Sequence, residues 1–147
     1  DMINTVVRQI AFYEFERKIH TERRNGELTS DRIGEFWLEV QAESLGPAIR
    51  LREGYETFWT YIPHFIHSPF YVYAYAFGDC LVNSLYAVYQ NAERGFQAKY
   101  FDMLRAGGTK HHSEILKPFG LDASDPAFWQ IGLAVIGELI DELEALD

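Results

Sequence analysis

Residues 68–92 read Ser68-Pro69-Phe70-Tyr71-Val72-Tyr73-Ala74-Tyr75-Ala76-Phe77-Gly78 and continue through Asp79, Cys80 and Leu81 to Ala92. A serine that can cap a helix, followed by a proline at the first helical position, predicts a long helix from Pro69 to about Ala92. On such a helix Tyr71 and Tyr75 lie about 40° apart, and Tyr73 points roughly the opposite way. Two aromatic faces result. Phe70, Tyr73, Ala74, Phe77 and Leu81 make a core stripe, while Tyr71, Tyr75, Gly78 and Val82 make a second stripe that carries two hydroxyls. A buried phenol needs a hydrogen-bond partner, so the second stripe suits a wall that meets water, a ligand or another domain. Tyrosines at the edge of a core are the ordinary alternative.

Outward from this helix the chain keeps the helical period. Towards the N-terminus, Val6, Val7, Ile10, Tyr13, Phe15 and Ile19 mark an amphipathic helix from about Asn4 to Arg23, closed by Asn25-Gly26. Thr29 or Ser30 can cap a second helix, with Ile33, Phe36, Trp37, Val40 and Gln41 on one stripe and Gly46-Pro47 as its stop. A less regular stretch holds Tyr55, Phe58, Trp59, Tyr61, Ile62 and Pro63. Beyond the long helix, Phe96 to Leu104 reads as a shorter one stopped by Ala106-Gly107-Gly108. Thr109 can cap a brief helix ending near Pro118-Phe119-Gly120. Ser124-Asp125-Pro126 opens a last helix whose Trp129, Leu133, Ile136, Ile140 and Leu143 repeat at four and three. No run alternates between apolar and polar residues as a strand would. The fold class expected is all-α, a bundle of about six helices in a single domain spanning 1–147. Its core should include Ile10, Trp37, Phe77, Leu81, Trp129, Leu133 and Ile136.

Composition narrows the function classes. The 147 residues are 48% hydrophobic and 16% aromatic, enough for a core that buries roughly 68–70% of the unfolded surface. With 22 acidic against 13 basic residues and a formal net charge of −9, the chain lacks the basic footprint of a nucleic-acid binder. Basic peptides would be steered in more readily than acidic ones. The apolar run from Pro69 to Leu85 is broken by Gly78, Asp79 and Asn83 and does not read as a membrane span. One cysteine, Cys80, cannot form an internal disulfide, and no signal peptide opens the chain, so a reducing, cytoplasmic location is expected.

A metallopeptidase zinc site needs two histidines four apart with a glutamate between them, and that pattern is absent. The five histidines are His20, His64, His67, His111 and His112, with no pair at that spacing. His111 and Glu114 are three apart on a short helix and read as a solvated helix start. Glu16 and His20, four apart, read as an ordinary surface or packing pair. Cys80 sits in an apolar run where it behaves as a small hydrophobe rather than a nucleophile. The Ala106-Gly107-Gly108 glycines read as a helix stop, since no strand precedes them and no Gly-Lys-Ser/Thr follows.

The order of segments carries a resemblance. Val7-Arg8-Gln9, Phe15-Glu16-x-x-Ile19-His20, Gly26-Glu27-Leu28-Thr29, Ile62-Pro63-His64-Phe65 and the Pro69 to Tyr75 run are similar to oligoendopeptidase F and its relatives. Leu104-Arg105-Ala106-Gly107-Gly108, Phe128-Trp129-Gln130-Ile131-Gly132 and Ile140-Asp141-x-Leu143-Glu144 extend the likeness to nearly the whole chain. The resemblance implies a zinc metalloendopeptidase that cleaves short peptides in a channel between helical halves, with this chain as one wall. It also implies that the zinc histidines, the catalytic glutamate and the glutamate third ligand lie before residue 1. The chain would then be a C-terminal fragment, inactive alone, whose partners are peptide substrates and the upstream part of the same enzyme.

Residue by residue, the family's substrate-contacting histidine falls on His64, and its tyrosines fall within Tyr71, Tyr73 and Tyr75. The thimet oligopeptidase-like branch has a glycine-rich loop where this chain has Phe65-Ile66-His67-Ser68-Pro69. Tyr75 and Tyr71 are preferred as catalytic residues beside His64 because they share a helix face; Tyr73 remains the alternative register and a substrate-binding candidate. A stand-alone helical ligand-binding or interaction module, and an inactive structural half-domain, are the other classes the residues allow.

Overall fold

The computed structural model describes residues 2–92 and 94–146. Among them the chain forms seven α-helices and three 3-10 segments, with no strand. The helices are α1 (Met2–Glu22), α2 (Ser30–Leu45), α3 (His64–His67), α4 (Tyr73–Gln90), α5 (Phe96–Ala106), α6 (His112–Leu116) and α7 (Pro126–Glu144). The 3-10 segments are Arg23–Asn25, Tyr55–Tyr61 and Lys117–Phe119. Local chemistry sets most of the ends. Thr29 Oγ1 accepts the Arg32 amide at the start of α2, and Asp125 accepts the Ala127 amide at the start of α7, with Pro126 in the first turn. Gly46 and Gly107 close α2 and α5 as expected. The cap of α6 is His111, not Thr109, because its Nδ1 takes the Ser113 amide.

The chain divides into two compact units at Phe77/Gly78, inside α4. In the first unit, Ala11, Phe12 and Phe15 of α1 meet Phe36, Trp37 and Val40 of α2, with Ile62 and Val72 completing the buried cluster. The rings of Phe15 and Trp37 cross edge to face with centroids 5.2 Å apart. Phe65 packs against Phe12, Phe15 and Trp37 at 5.1 to 6.2 Å. Fully burying an aromatic side chain such as Phe15 is worth about 1.5–3 kcal/mol, so these rings set the rotation of α1. Ile10 lies about 160° around the helix from Phe12. It is therefore 48% exposed, against the expectation that it joins the core. The 3-10 segment Tyr55–Tyr61 lies against α2 through Gly34, where a Cβ would stand 3.0 Å from the Glu56 carbonyl oxygen. Tyr55 Oη donates to Gln41 Oε1 at 3.3 Å.

In the second unit, Leu85, Leu116, Phe119, Leu121 and Phe128 form the buried cluster, with Leu81, Val88, Phe96, Met103 and Trp129 around it. The buried residues of α7 are Phe128, Gly132 and Ile136, spaced by four. Gly132 has no side chain, and α7 approaches Cys80 of α4 so closely there that Ser84 Oγ also donates to the Phe128 carbonyl at 3.2 Å. That approach turns the helix by one position from the expected stripe. Ile136 is buried, Trp129 half-buried, and Leu133 is 39% exposed, which removes it from the expected core. Phe77 and Leu81 are half-buried, while Trp37 is fully enclosed.

The start of α4 also departs from expectation. The helix begins at Tyr73, not Pro69, because Phe70 adopts a left-handed backbone with φ 61°. Such a conformation costs a non-glycine residue roughly 1–2 kcal/mol and cannot belong to a right-handed helix. With the start displaced, the buried positions near it are Val72, Ala76 and Cys80, while Phe70 and Tyr73 are exposed.

Candidate functional site

His64, Tyr71 and Tyr75 come together in the first unit although they sit on three different segments. Each is flanked by a buried anchor that turns it outward. Ile62 is buried and Phe65 packs into the aromatic cluster, so His64 between them is left half-exposed at the start of α3. Val72 is fully enclosed, and its neighbour Tyr71 is 52% exposed. Ala76 is buried, and Tyr75 before it is 41% exposed.

His64 Nε2 and Tyr75 Oη lie 3.1 Å apart, within hydrogen-bond distance. Their rings meet edge to face at 5.6 Å and 87°. Tyr71 lies parallel to the imidazole, with 3° between the planes and centroids 5.9 Å apart, and it meets Tyr75 edge to face at 5.6 Å. The three rings thus form one exposed cluster with a phenol and an imidazole at its centre. Tyr73 is not part of it. Its ring packs edge to face on Tyr13 of α1 at 6.1 Å. His67 is exposed at the end of α3 and also stands apart from these ring contacts.

A neutral imidazole protonated at Nε2 donates to the phenol oxygen, which leaves the phenolic hydrogen free to donate outward. The phenol is then available to donate to a carbonyl oxygen, and the unprotonated Nδ1 to accept a backbone amide.

Glu16 belongs to the same region. Its spacing from His20 predicts a surface or packing pair, and the structure encloses it fully, at 0% exposure. Its Oε1 accepts the Phe70 amide at 2.8 Å across 54 residues, and its Oε2 is buried without a hydrogen-bond partner. Burial pushes its carboxyl above the ordinary range, opposed by the Phe70 amide and by the nearby His20 and His64. His20 itself packs its ring on Phe70 at 4.7 Å. A buried glutamate that bonds an amide 54 residues on has no local signature, and the Phe15-Glu16-x-x-Ile19-His20 pattern is the one trace of it.

The other candidates take ordinary roles. His111 caps α6 with its Nδ1 2.8 Å from Ser113 Oγ. Cys80 is free and buried, and burial together with Asp79 pushes its thiol up, away from thiolate chemistry. No group of three or more His, Cys, Asp or Glu side chains that could hold a metal converges among the described residues, so the donor set here does not fit a catalytic zinc. No helix among them is long and apolar enough to cross a membrane.

Comparison with known proteins agrees with the order of segments. Residues 1–135 match the model of peptidase family M3. The chain is 30% identical over 143 residues to the oligopeptidase PepF of Bacillus subtilis (strain 168), covering 97% of this chain and 21% of that protein. It is 29% identical over 143 residues to the plasmid oligoendopeptidase F of Lactococcus lactis subsp. cremoris, covering 97% of this chain and 24% of that protein. An oligoendopeptidase F homolog of Borreliella burgdorferi is 32% identical over 128 residues, which are 86% of this chain and 22% of that protein. The chain therefore spans between a fifth and a quarter of the length of these relatives. No solved structure matches it. The chain belongs to peptidase family M3.

Proposed function

We propose that the protein containing this M3 chain is a zinc-dependent endopeptidase of short peptides, to which this chain contributes substrate-binding and charge-stabilising side chains but no zinc ligand. The observation that carries this reading is the outward-facing pair of His64 Nε2 and Tyr75 Oη at 3.1 Å, with Tyr71 stacked on the imidazole. Zinc, with its ligands assigned to segments outside this chain, would supply the activation of water and the polarisation of the scissile carbonyl. The chain's own residues act on the other side of the charge balance. Negative charge grows on the carbonyl oxygen as the peptide bond is attacked, and a phenol or imidazole donor aimed at that oxygen binds it more strongly as it grows. Tyr75 takes this role, oriented by His64. Tyr71 holds His64 flat and shares the binding of the peptide backbone. Tyr73 is kept as a substrate-binding alternative.

A formal charge of −9 supports a preference for peptides with basic residues, and the reading places the enzyme in the cytoplasm. The test is hydrolysis of an internally quenched peptide by the full-length protein, with and without a chelator, alongside the isolated chain of residues 1–147. Chelator-sensitive cleavage by the first and none by the second is expected. Cleavage by the isolated chain, or submicromolar zinc affinity of it by calorimetry, would overturn the division of labour. A full-length protein that binds peptides and never cleaves them would point to the interaction module instead.

A further inference from the structure

We propose that Glu16 is the positioning residue of the His64–Tyr75 pair: from α1 it holds the Phe70 amide, bends the chain there, and so lays Tyr71 against His64. The inference rests on the reading of His64 and Tyr75 given above, and its test separates the two.

A carboxyl that is fully enclosed, with one oxygen on a backbone amide and the other on nothing, is a poor stabilising element. An apolar side chain would pack α1 better. What the carboxyl does achieve is local to Phe70. That residue is the one non-glycine with a positive φ among the described residues, at 61°. Backbone held in so sparsely populated a region persists where surrounding structure over-determines it. Here the holding contact is the 2.8 Å bond from the Phe70 amide to Glu16 Oε1, seconded by the His20 ring on the Phe70 side chain.

The consequence falls on the next residues. Were the helix to start at Pro69, as Ser68-Pro69 dictates locally, Tyr71 would lie in its first turn. With Phe70 in the left-handed conformation the chain doubles back. The Tyr71 amide bonds to the Ser68 carbonyl at 3.2 Å, and α4 begins two residues later at Tyr73. Tyr71 then stands parallel to His64 at 5.9 Å, and Tyr75, in the first turn of the new helix, reaches Nε2. Glu16 bonds the turn on which the alignment of the two rings depends.

Three variants of the full-length enzyme test this: E16Q, E16L and the double variant E16L/F70G. Gln keeps an acceptor for the Phe70 amide, Leu removes it, and Gly adopts a positive φ without the Cβ penalty. Two readouts are taken: kcat and KM on a quenched peptide, and the Cε1–H signal of His64 in 13C-histidine-labelled protein, identified by its loss in H64A. A stacked tyrosine shifts that signal by its ring current. We expect E16L to lower kcat about ten- to hundred-fold, as misplacement by about an ångström does. Its KM should change little, and the His64 signal should move towards the unstacked position. E16Q should keep both the signal and kcat near wild type, and E16L/F70G should recover both in part.

An E16L enzyme with wild-type kcat and an unmoved His64 signal overturns the inference. So does E16Q behaving like E16L, which would make Glu16 a buried structural charge. The signal reports geometry whether or not the pair is catalytic. If H64A and Y75F cleave like wild type while E16L still moves the signal, the functional reading fails and the positioning inference stands.

Discussion

A Cβ placed on Gly132 would stand 2.7 Å from the carbonyl oxygen of Cys80 and 3.1 Å from Ser84 Oγ. Backbone therefore meets backbone where α7 crosses α4 in the second unit, and the contact cannot be relieved by rotating a side chain. Gly132→Ala should cost about 1–3 kcal/mol through forced separation of the helices. Its urea-unfolding midpoint should fall with an unchanged slope. Gly137→Ala, where an added Cβ meets nothing within 4 Å, is the control and should be neutral or slightly stabilising.

In the full-length protein, Tyr75→Phe keeps the ring that packs the helix and removes the hydroxyl 3.1 Å from His64. If that hydroxyl serves the developing charge, kcat and kcat/KM should fall together, by about the 10²–10³-fold seen for single oxyanion donors. His64→Ala should fall at least as far. A rise in KM with kcat unchanged would instead mark uniform substrate binding.

Tyr71→Phe and Tyr73→Phe separate the two registers. Tyr71 stacks on His64, so loss of its hydroxyl should leave the stack and weaken peptide binding, read as a KM rise of a few-fold, on the order of 1 kcal/mol. Tyr73 packs on Tyr13 instead, and its variant should be kinetically silent. A large kcat loss in Tyr73→Phe with none in Tyr75→Phe would exchange their roles.

Glu16 should make stability depend on pH in the sense opposite to a salt-bridged carboxylate. Burial raises its folded-state proton affinity above the unfolded value, so the folded protein binds more protons in that window. Stability linked to this group is full below the unfolded pKa and is lost as pH rises through the raised one. The difference in unfolding free energy between wild type and Glu16→Gln should shift against wild type as pH rises from about 4 towards neutrality. A difference that stays flat over that range would show the carboxyl to be unperturbed.

The start of α2, the start of α7 and the stops of α2 and α5 were legible because their chemistry is local. Thr29 bonds an amide three residues on, Asp125 one two residues on, and Gly46 and Gly107 take the positive φ that ends α2 and α5. The block from His64 to Tyr75 stood out because its histidines, its proline and its tyrosines lie within one short stretch. The faces that the helices bury were read less well. On α1 and α7 the apolar period allows neighbouring stripes, and the choice fell to partners in other segments: Trp37 for Phe12 and Phe15, and Cys80 for Gly132.

From its own residues the chain is bound to be helical, to carry the caps of α2 and α7 and the stops of α2 and α5, and to place a histidine ahead of closely spaced tyrosines; each of these rests on interactions across a few residues. Where α4 begins, which tyrosine meets His64 and which leaves for Tyr13 were decided by the fold. The deciding bond joins Glu16 to the Phe70 amide 54 residues away. Local pattern offers Ser68-Pro69 as a helix start, and the enclosed Glu16 outweighs it because a buried carboxyl with neither oxygen bonded costs more than a displaced first turn.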